Sequence, residues 1–240
     1  MAGCELPEDR LYDLEDSTWV TRDPNSGLWT LGVMASLLAF AGRVQSFTFR
    51  PDDSDLAQGR SVATIESVRF TGPIRLPVDG TVVERNRELL DRPRLLHDSP
   101  YDRGWVVRFR PRAPEPLPAH LESAAAIADR LARRIAELRI RCFPALPDFE
   151  LIEVGTECSA TLARLDEELA PRAPGAVVLL VTDDPTSPIE LVRWSDGTGH
   201  RLLAHRQEGN LHQFLIRKEA GATPRRRSPG TGTVAGAGPL

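Results

Sequence analysis

Residues 61–86 read SVATIESVRFTGPIRLPVDGTVVERN, and this stretch decides the fold of the first half of the chain. Three short runs rich in β-branched residues, SVATIESV, GPIRLPV and GTVVERN, are set apart by Gly, Pro and Asp, which favour tight turns over helix. Working outward, WTLGVM and VQSFTF precede them and GWVVRFR follows, with the same punctuation between. Strands this short and regular predict a small all-β sandwich or barrel over residues 11–110.

Beyond it the pattern changes. Residues 111–120, PRAPEPLPAH, hold Pro111, Pro114, Pro116 and Pro118 and read as a linker, because proline interrupts both ladders and helices. Leu121 to Ile140 then places Ala124, Ile127, Ala128, Leu131, Ile135 and Leu138 at helical spacing, which predicts one amphipathic helix. RCFPALPD at 141–148 is again broken by proline, so residues 111–148 read as linker plus helix and a second domain is expected at 149–219. There the order is strand FELIEV, helix SATLARLDEEL, strand AVVLLVTD, a short helix near PIELVRW, and strands HRLLAHRQ and LHQFLIRK. The expected class is therefore α+β multidomain, an all-β domain followed by a two-layer βαβαββ domain. The Gly-, Pro- and Ser-rich residues 220–240, with Arg225, Arg226 and Arg227, predict a disordered, solvated tail.

Composition excludes several functions. A formal charge of −4 and a pI near 5.8 argue against non-specific nucleic-acid binding, which needs a basic surface. The longest apolar stretch, Leu31 to Gly42, falls short of the ~20 residues that span a bilayer. MAGCELPEDR has neither the n-region nor the h-region of a secretory signal, so no membrane anchor and a cytoplasmic location are expected. Cys4, Cys142 and Cys158 show no metal-binding spacing and read as free thiols of a reducing compartment. His97, His120, His200, His205 and His212 lack ligand spacing too and read as surface or satisfied polar residues, so no metal is expected. Among 30 basic residues only Lys218 is a lysine.

Ile65-Glu66-Ser67-Val68-Arg69, then Pro77 and Val78-Asp79-Gly80-Thr81-Val82-Val83-Glu84-Arg85-Asn86, resembles the lipoyl-bearing hairpin of the glycine cleavage system H protein. Trp19-Val20, Thr30-Leu31-Gly32-Val33, Pro93-x-Leu95 and Pro100-Tyr101-x-x-Gly104-Trp105 extend the resemblance over nearly all of 11–110. It implies a lipoyl-type domain whose hairpin lysine would carry lipoate, and here that position is Arg69. A guanidinium stays protonated and does not replace an amine as acyl acceptor, so lipoate is not expected and no cofactor is expected. Arg69, flanked by Glu66 and Asp79, is either part of a scaffold or a fixed cation for an anionic partner.

Cys158 after FELIEV, Pro174-Gly175, the strand AVVLLVT, Asp183-Asp184-Pro185 and the closing Phe214-Leu215-Ile216-Arg217-Lys218 resemble TusA-like (SirA-like) sulfurtransferases in order and spacing. The resemblance implies a small sulfur carrier whose single cysteine, Cys158, holds a persulfide. A thiol at a helix N-terminus meets the positive end of the macrodipole, which lowers its pKa, while the preceding Glu157 works in the opposite sense. That family's cysteine is followed by Pro-x-Pro; here the residues are Ser159-Ala160-Thr161, and Ser159 is a candidate cap for an orphan N–H. Cys142 is a weaker candidate, and Asp183 and Asp184 either position a partner or cap the following helix.

Together the resemblances imply a cytoplasmic carrier or adaptor. The first domain would dock on enzymes that recognise H-protein-like surfaces, and Cys158 would exchange sulfur with donor and acceptor proteins. Three alternatives remain: an interaction scaffold with both carriers degenerate, an accessory H-like protein of glycine cleavage, or a sulfurtransferase enzyme acting on free thiosulfate. Nothing in the sequence supplies a second catalytic group beside Cys158 for the last of these.

Overall fold

The computed structural model describes residues 3–51 and 55–222, so from residue 223 on the expected tail lies outside the described residues. The chain divides between Leu146 and Pro147 into two compact bodies.

In the first body, β1 (Leu11–Asp13), β2 (Thr18–Arg22), β3 (Trp29–Val33), β4 (Val44–Phe49), β5 (Asp55–Leu56), β6 (Ser61–Ser67), β7 (Thr71–Arg75), β8 (Gly80–Arg85), β9 (Val107–Pro111) and β10 (Leu121–Ser123) form two sheets. Their orders are β10-β1-β2-β3-β9-β8-β5 and β4-β6-β7, and every recorded pairing within them is antiparallel. One core draws Val20, Leu31, Val82 and Phe109 from the larger sheet and Phe47, Val62, Ile65 and Ile74 from the smaller, the expected sandwich arrangement. The apolar stretch 31–42 supplies the end of β3 and then helix α1 (Ala35–Ala41).

Period-two alternation sends neighbours to opposite faces: Val20 enters the sandwich core, whereas Trp19 joins a second core with Tyr12 and Met34. That second core accounts for the predicted helix. Short helices α2 (Glu88–Asp91) and α3 (Leu95–Asp98) precede α4 (Ala124–Glu137), whose Ala124, Ile127, Leu131 and Ile135 form a buried stripe against Trp19 and its neighbours. Ser123 caps α4, its hydroxyl accepting from the Ala126 N–H at 3.3 Å. The residues just before it pair with β1, Leu11 opposite Ser123 and Asp13 opposite Leu121. Residues 121–137 thus differ from the linker reading. An apolar stripe of this width needs a partner surface, and the outer face of β1 and β2 supplies it.

Cys4 and Cys142 form a disulfide 138 residues apart in sequence, which corrects the reading of both as free thiols. No spacing motif signals a bond of this span. It forms because the N-terminal segment and the segment after α4 both pack on the second core, where each cysteine is 7% exposed.

The second body holds β11 (Phe149–Glu153), α5 (Cys158–Leu169), β12 (Val177–Thr182), α6 (Ser187–Thr198), β13 (Arg201–Glu208) and β14 (Leu211–Arg217). The sheet order is β11-β12-β14-β13, with β11 and β12 parallel and the rest antiparallel. Leu162, Leu165 and Leu169 of α5 and Leu191 and Trp194 of α6 pack on Leu151, Val178, Leu180, Phe214 and Ile216. This is the βαβαββ two-layer arrangement. Lys218 ends it: its Nζ donates to the carbonyls of Leu169, Ala170 and Arg172 at 2.8, 2.9 and 2.6 Å, satisfying groups left open where α5 ends.

One histidine reading needs correction, that of His97, while His205 and His212 are satisfied polar residues as expected. Nε2 of His97 is buried without a hydrogen-bond partner, and desolvation lowers the ring's pKa from 6.5 to about 4, so it stays neutral at ordinary pH. His205 Nε2 and His212 Nδ1 meet at 3.1 Å across β13 and β14, a pairing that strand register creates and sequence spacing does not reveal.

Candidate functional site

Cys158 is the first residue of α5, which follows β11 after a four-residue turn. Gly155 turns the chain there with φ +74°, a conformation that carries no steric cost without a Cβ. Two carboxylates from the end of the neighbouring parallel strand fasten this turn. The Gly155 N–H donates to Asp183 Oδ1 at 2.7 Å, and the Cys158 N–H donates to Asp184 Oδ2 at 2.8 Å. Glu157, the residue before the helix, makes no side-chain cap bond, so the cap comes from Asp184 on a different segment and not from the anticipated Ser159.

Asp184 is itself tightly held. Its Oδ1 accepts from the Thr186 hydroxyl at 2.6 Å and the Thr186 N–H at 2.7 Å, and its own N–H donates to Thr182 Oγ1 at 3.3 Å. The Thr186 hydroxyl first, and then the Thr186 and Cys158 N–H groups, keep this carboxyl below its ordinary pKa of 3.8. The structure thus brings Cys158, Asp183 and Asp184 together and gives both aspartates a local task, holding the cysteine's turn. Cys158 lies outside the disulfide, and its side chain is 7% exposed against Leu151 and Leu162.

The other sequence candidates sit on the first body. Val68 and Arg69 form the tip between β6 and β7. The tip is fastened by backbone: Val68 N–H donates to the Arg43 carbonyl at 3.4 Å and Arg69 N–H to the Ala41 carbonyl at 3.2 Å. The Ser67 hydroxyl also donates to Ala41 O at 2.9 Å. Val68 is 65% exposed and Arg69 is exposed beside it. Glu66 accepts from the Ser46 hydroxyl across the strands at 2.7 Å, so its carboxylate belongs to the hairpin's own bonding.

Sequence reasoning missed two buried polar residues near the starts of α5 and α6. Thr161 and Ser187, one on each helix, are 0% exposed, and neither hydroxyl has a hydrogen-bond partner among the described residues. The only available signal was Thr161 standing on the same helical face as Cys158, three positions on. No group of three His, Cys, Asp or Glu residues could hold a metal among the described residues, and no helix there is long and apolar enough to cross a membrane.

The first body is an antiparallel two-sheet β fold and the second a two-layer βαβαββ fold. Residues 10–133 match the glycine cleavage H-protein family and residues 153–218 match sulfurtransferase TusA. Glycine cleavage system H protein 5 of Aquifex aeolicus is 34% identical over 142 residues, covering 58% of this chain and 96% of that protein. Probable glycine cleavage system H protein 2 of Saccharolobus solfataricus is 30% identical over 59% of this chain and 95% of its own length. A solved H protein from Mycobacterium marinum aligns at 23% identity and TM-score 0.47, over 53% of this chain and 99% of its own. The chain belongs to the glycine cleavage H-protein family and carries a TusA-type domain after it. The first match runs into α4, in keeping with the packing of that helix on the first body.

Proposed function

We propose that the chain is a carrier in which the first body docks on partner enzymes and Cys158 carries sulfur as a persulfide. The observation that carries this reading is Cys158 opening a 12-residue helix in a turn clamped by two neighbouring carboxylates. The positive end of the α5 macrodipole favours an anionic sulfur there, and the Asp184 carboxylate that takes the Cys158 N–H offsets part of that effect. In the transfer step the Cys158 thiolate attacks the outer sulfur of a donor protein's persulfide. The donor's S–S bond breaks, a new S–S bond forms at Cys158, and the donor cysteine leaves as a thiolate, so sulfur moves without net oxidation. Delivery to an acceptor thiolate reverses these roles. The partners are thus proteins that present a persulfide or a thiolate, together with an enzyme that recognises the hairpin face bearing Glu66 and Arg69. We place the exchange in the cytoplasm, where burial of the Cys4–Cys142 disulfide shields it from the thiol pool.

Lipoate does not fit the residues present. Arg69 stands where the H-protein pattern has its lysine, and Nζ of the sole lysine, Lys218, is bonded to three carbonyls in the other body. No step is routed through a lipoyl arm.

Two measurements test this reading. Incubated with a persulfide donor and read by intact mass and peptide mapping, the protein is expected to gain sulfur at Cys158, and Cys158→Ser to gain none. Equal loading of the serine variant would overturn it. The Arg69→Lys variant, given lipoate and a lipoate ligase, is expected to gain a lipoyl group at residue 69, because the tip is already exposed and fastened by backbone bonds. An unmodified lysine there would mean that the hairpin surface has been rebuilt as well as the acceptor residue.

A further inference from the structure

Strands β11 and β12 run parallel and side by side, so the helices that follow them both start at the same end of the sheet. Helix α5 starts at Cys158 and α6 at Ser187. Their alignment is fixed further along. Trp194 Nε1 donates to Asp166 Oδ1 at 2.9 Å, joining a residue seven positions into α6 to one eight positions into α5. The helices therefore lie parallel with their first residues level. Asp184 bridges those two starts, its carboxylate taking the Cys158 N–H at 2.8 Å and its carbonyl taking the Ser187 N–H at 3.1 Å.

Each of the two helices carries, within its first turn, a buried hydroxyl with no hydrogen-bond partner among the described residues. Thr161 lies one turn along α5 on the buried face that Cys158 shares, and Ser187 is the first residue of α6. Both residues are 0% exposed, and Thr161 Oγ1 and Ser187 Oγ lack partners among the described residues. A buried hydroxyl without a partner costs about 1–3 kcal/mol, and such groups are rare unless something else satisfies them. Valine and alanine would fill the same space without that penalty. The neighbouring Thr182, also 0% exposed, has its hydroxyl engaged by Asp184, and the third orphaned side chain among the described residues of this body, Gln213, stands on β14 and not on either helix.

We propose that the Thr161 and Ser187 hydroxyls form the seat for the outer sulfur of the Cys158 persulfide, donating hydrogen bonds to it between the starts of two helices. The seat rests on the carrier reading and extends it, since it says which side chains hold the cargo. The outer sulfur of a persulfide is the anionic atom. Hydrogen bonds to a charged acceptor are about twice as strong as neutral ones, and they matter here because the Asp184 carboxylate at the same turn offsets the positive ends of the two helices. The hydroxyls are unsatisfied while the cysteine is a plain thiol and satisfied once sulfur is loaded. The site thus stores an unfavourable state that loading relieves.

The test uses the full chain as wild type, Thr161→Val and Ser187→Ala, loaded with glutathione persulfide and desalted. Intact mass then follows how long the added sulfur persists, and thermal unfolding is measured on the unloaded proteins. Each variant is expected to hold sulfur about ten-fold more briefly than wild type, while melting at the same temperature or higher. A structural role for the hydroxyls would instead lower the melting temperature, and that result would overturn the seat. So would variants that hold sulfur as long as wild type does. Wild type that takes up no sulfur would overturn the carrier reading itself, an outcome distinct from either of the others.

Discussion

Replacing Cys142 with serine is expected to lower the stability of the first body by about 5 kcal/mol, the chain-entropy value for a cross-link closing a loop longer than 100 residues. The bond to Cys4 spans 138 residues, which is nearly the whole of this body. Without it the unfolded chain regains the freedom of its two ends, while the native packing of the N-terminal segment against α4 loses its covalent tie. For a body of this size the loss corresponds to a fall in melting temperature of about 15 °C. Calorimetry with and without a reductant is the direct check. Cys4→Ser should behave like Cys142→Ser, and the double variant should be no worse than either, because each single change already removes the same bond. A wild type that melts at the same temperature once thiol titration shows the Cys4–Cys142 bond to be reduced would show that the cross-link contributes nothing to this fold.

The second large effect is expected at Gly32. Gly32 faces Trp19 in the register of β2 and β3, and a Cβ at residue 32 would lie 2.2 Å from the indole Cζ2. The indole has no room to move. It is 2% exposed, its Nε1 donates to the carbonyls of Val33 and Pro100 at 3.2 and 3.1 Å, and the Arg10 guanidinium lies 4.6 Å from its ring centroid. Gly32→Ala is therefore expected to destabilise the first body by about 3 kcal/mol, the upper part of the overpacking range. Truncating Trp19 to alanine should cost about 3–5 kcal/mol by leaving a cavity and two unanswered carbonyls. The double variant should cost clearly less than the two single costs added together, since the methyl then has space. Denaturant unfolding of the four proteins measures this, and strict additivity would rule out the contact as the cause.

Much of the architecture was legible because it depends on local pattern. The runs at 61–67, 71–75 and 80–85 are short, β-branched and bounded by turn residues, and each became a strand. The alternation of strands and helices after residue 149 likewise followed from period and punctuation, as did the helix that starts at Cys158. What stayed hidden depends on contacts distant in sequence. Nothing near Cys4 announces Cys142. The stripe of α4 is plain in the sequence, but the surface it covers, Tyr12 and Trp19, lies more than 100 residues earlier. At the site, the cysteine was found from its place after a strand. Asp183 and Asp184 were ambiguous because a carboxylate's partner, here the backbone N–H of Gly155 or Cys158, has no signature of its own. Beyond Thr161 standing on the helical face of Cys158, Thr161 and Ser187 carry no sequence signal of function, since an orphaned hydroxyl is recognised only by what fails to surround it.

The single lysine also bears on how the chain would meet chemistry directed at amines. Tagging systems that address proteins for destruction commonly join their label to a lysine ε-amine, and amine-directed labels and cross-linkers seek the same group. This chain offers one such side chain, and its nitrogen already spends its donors on the carbonyls of Leu169, Ala170 and Arg172. Turnover by a lysine-linked label would first have to pull Lys218 away from the end of α5, so the folded second body guards its own address.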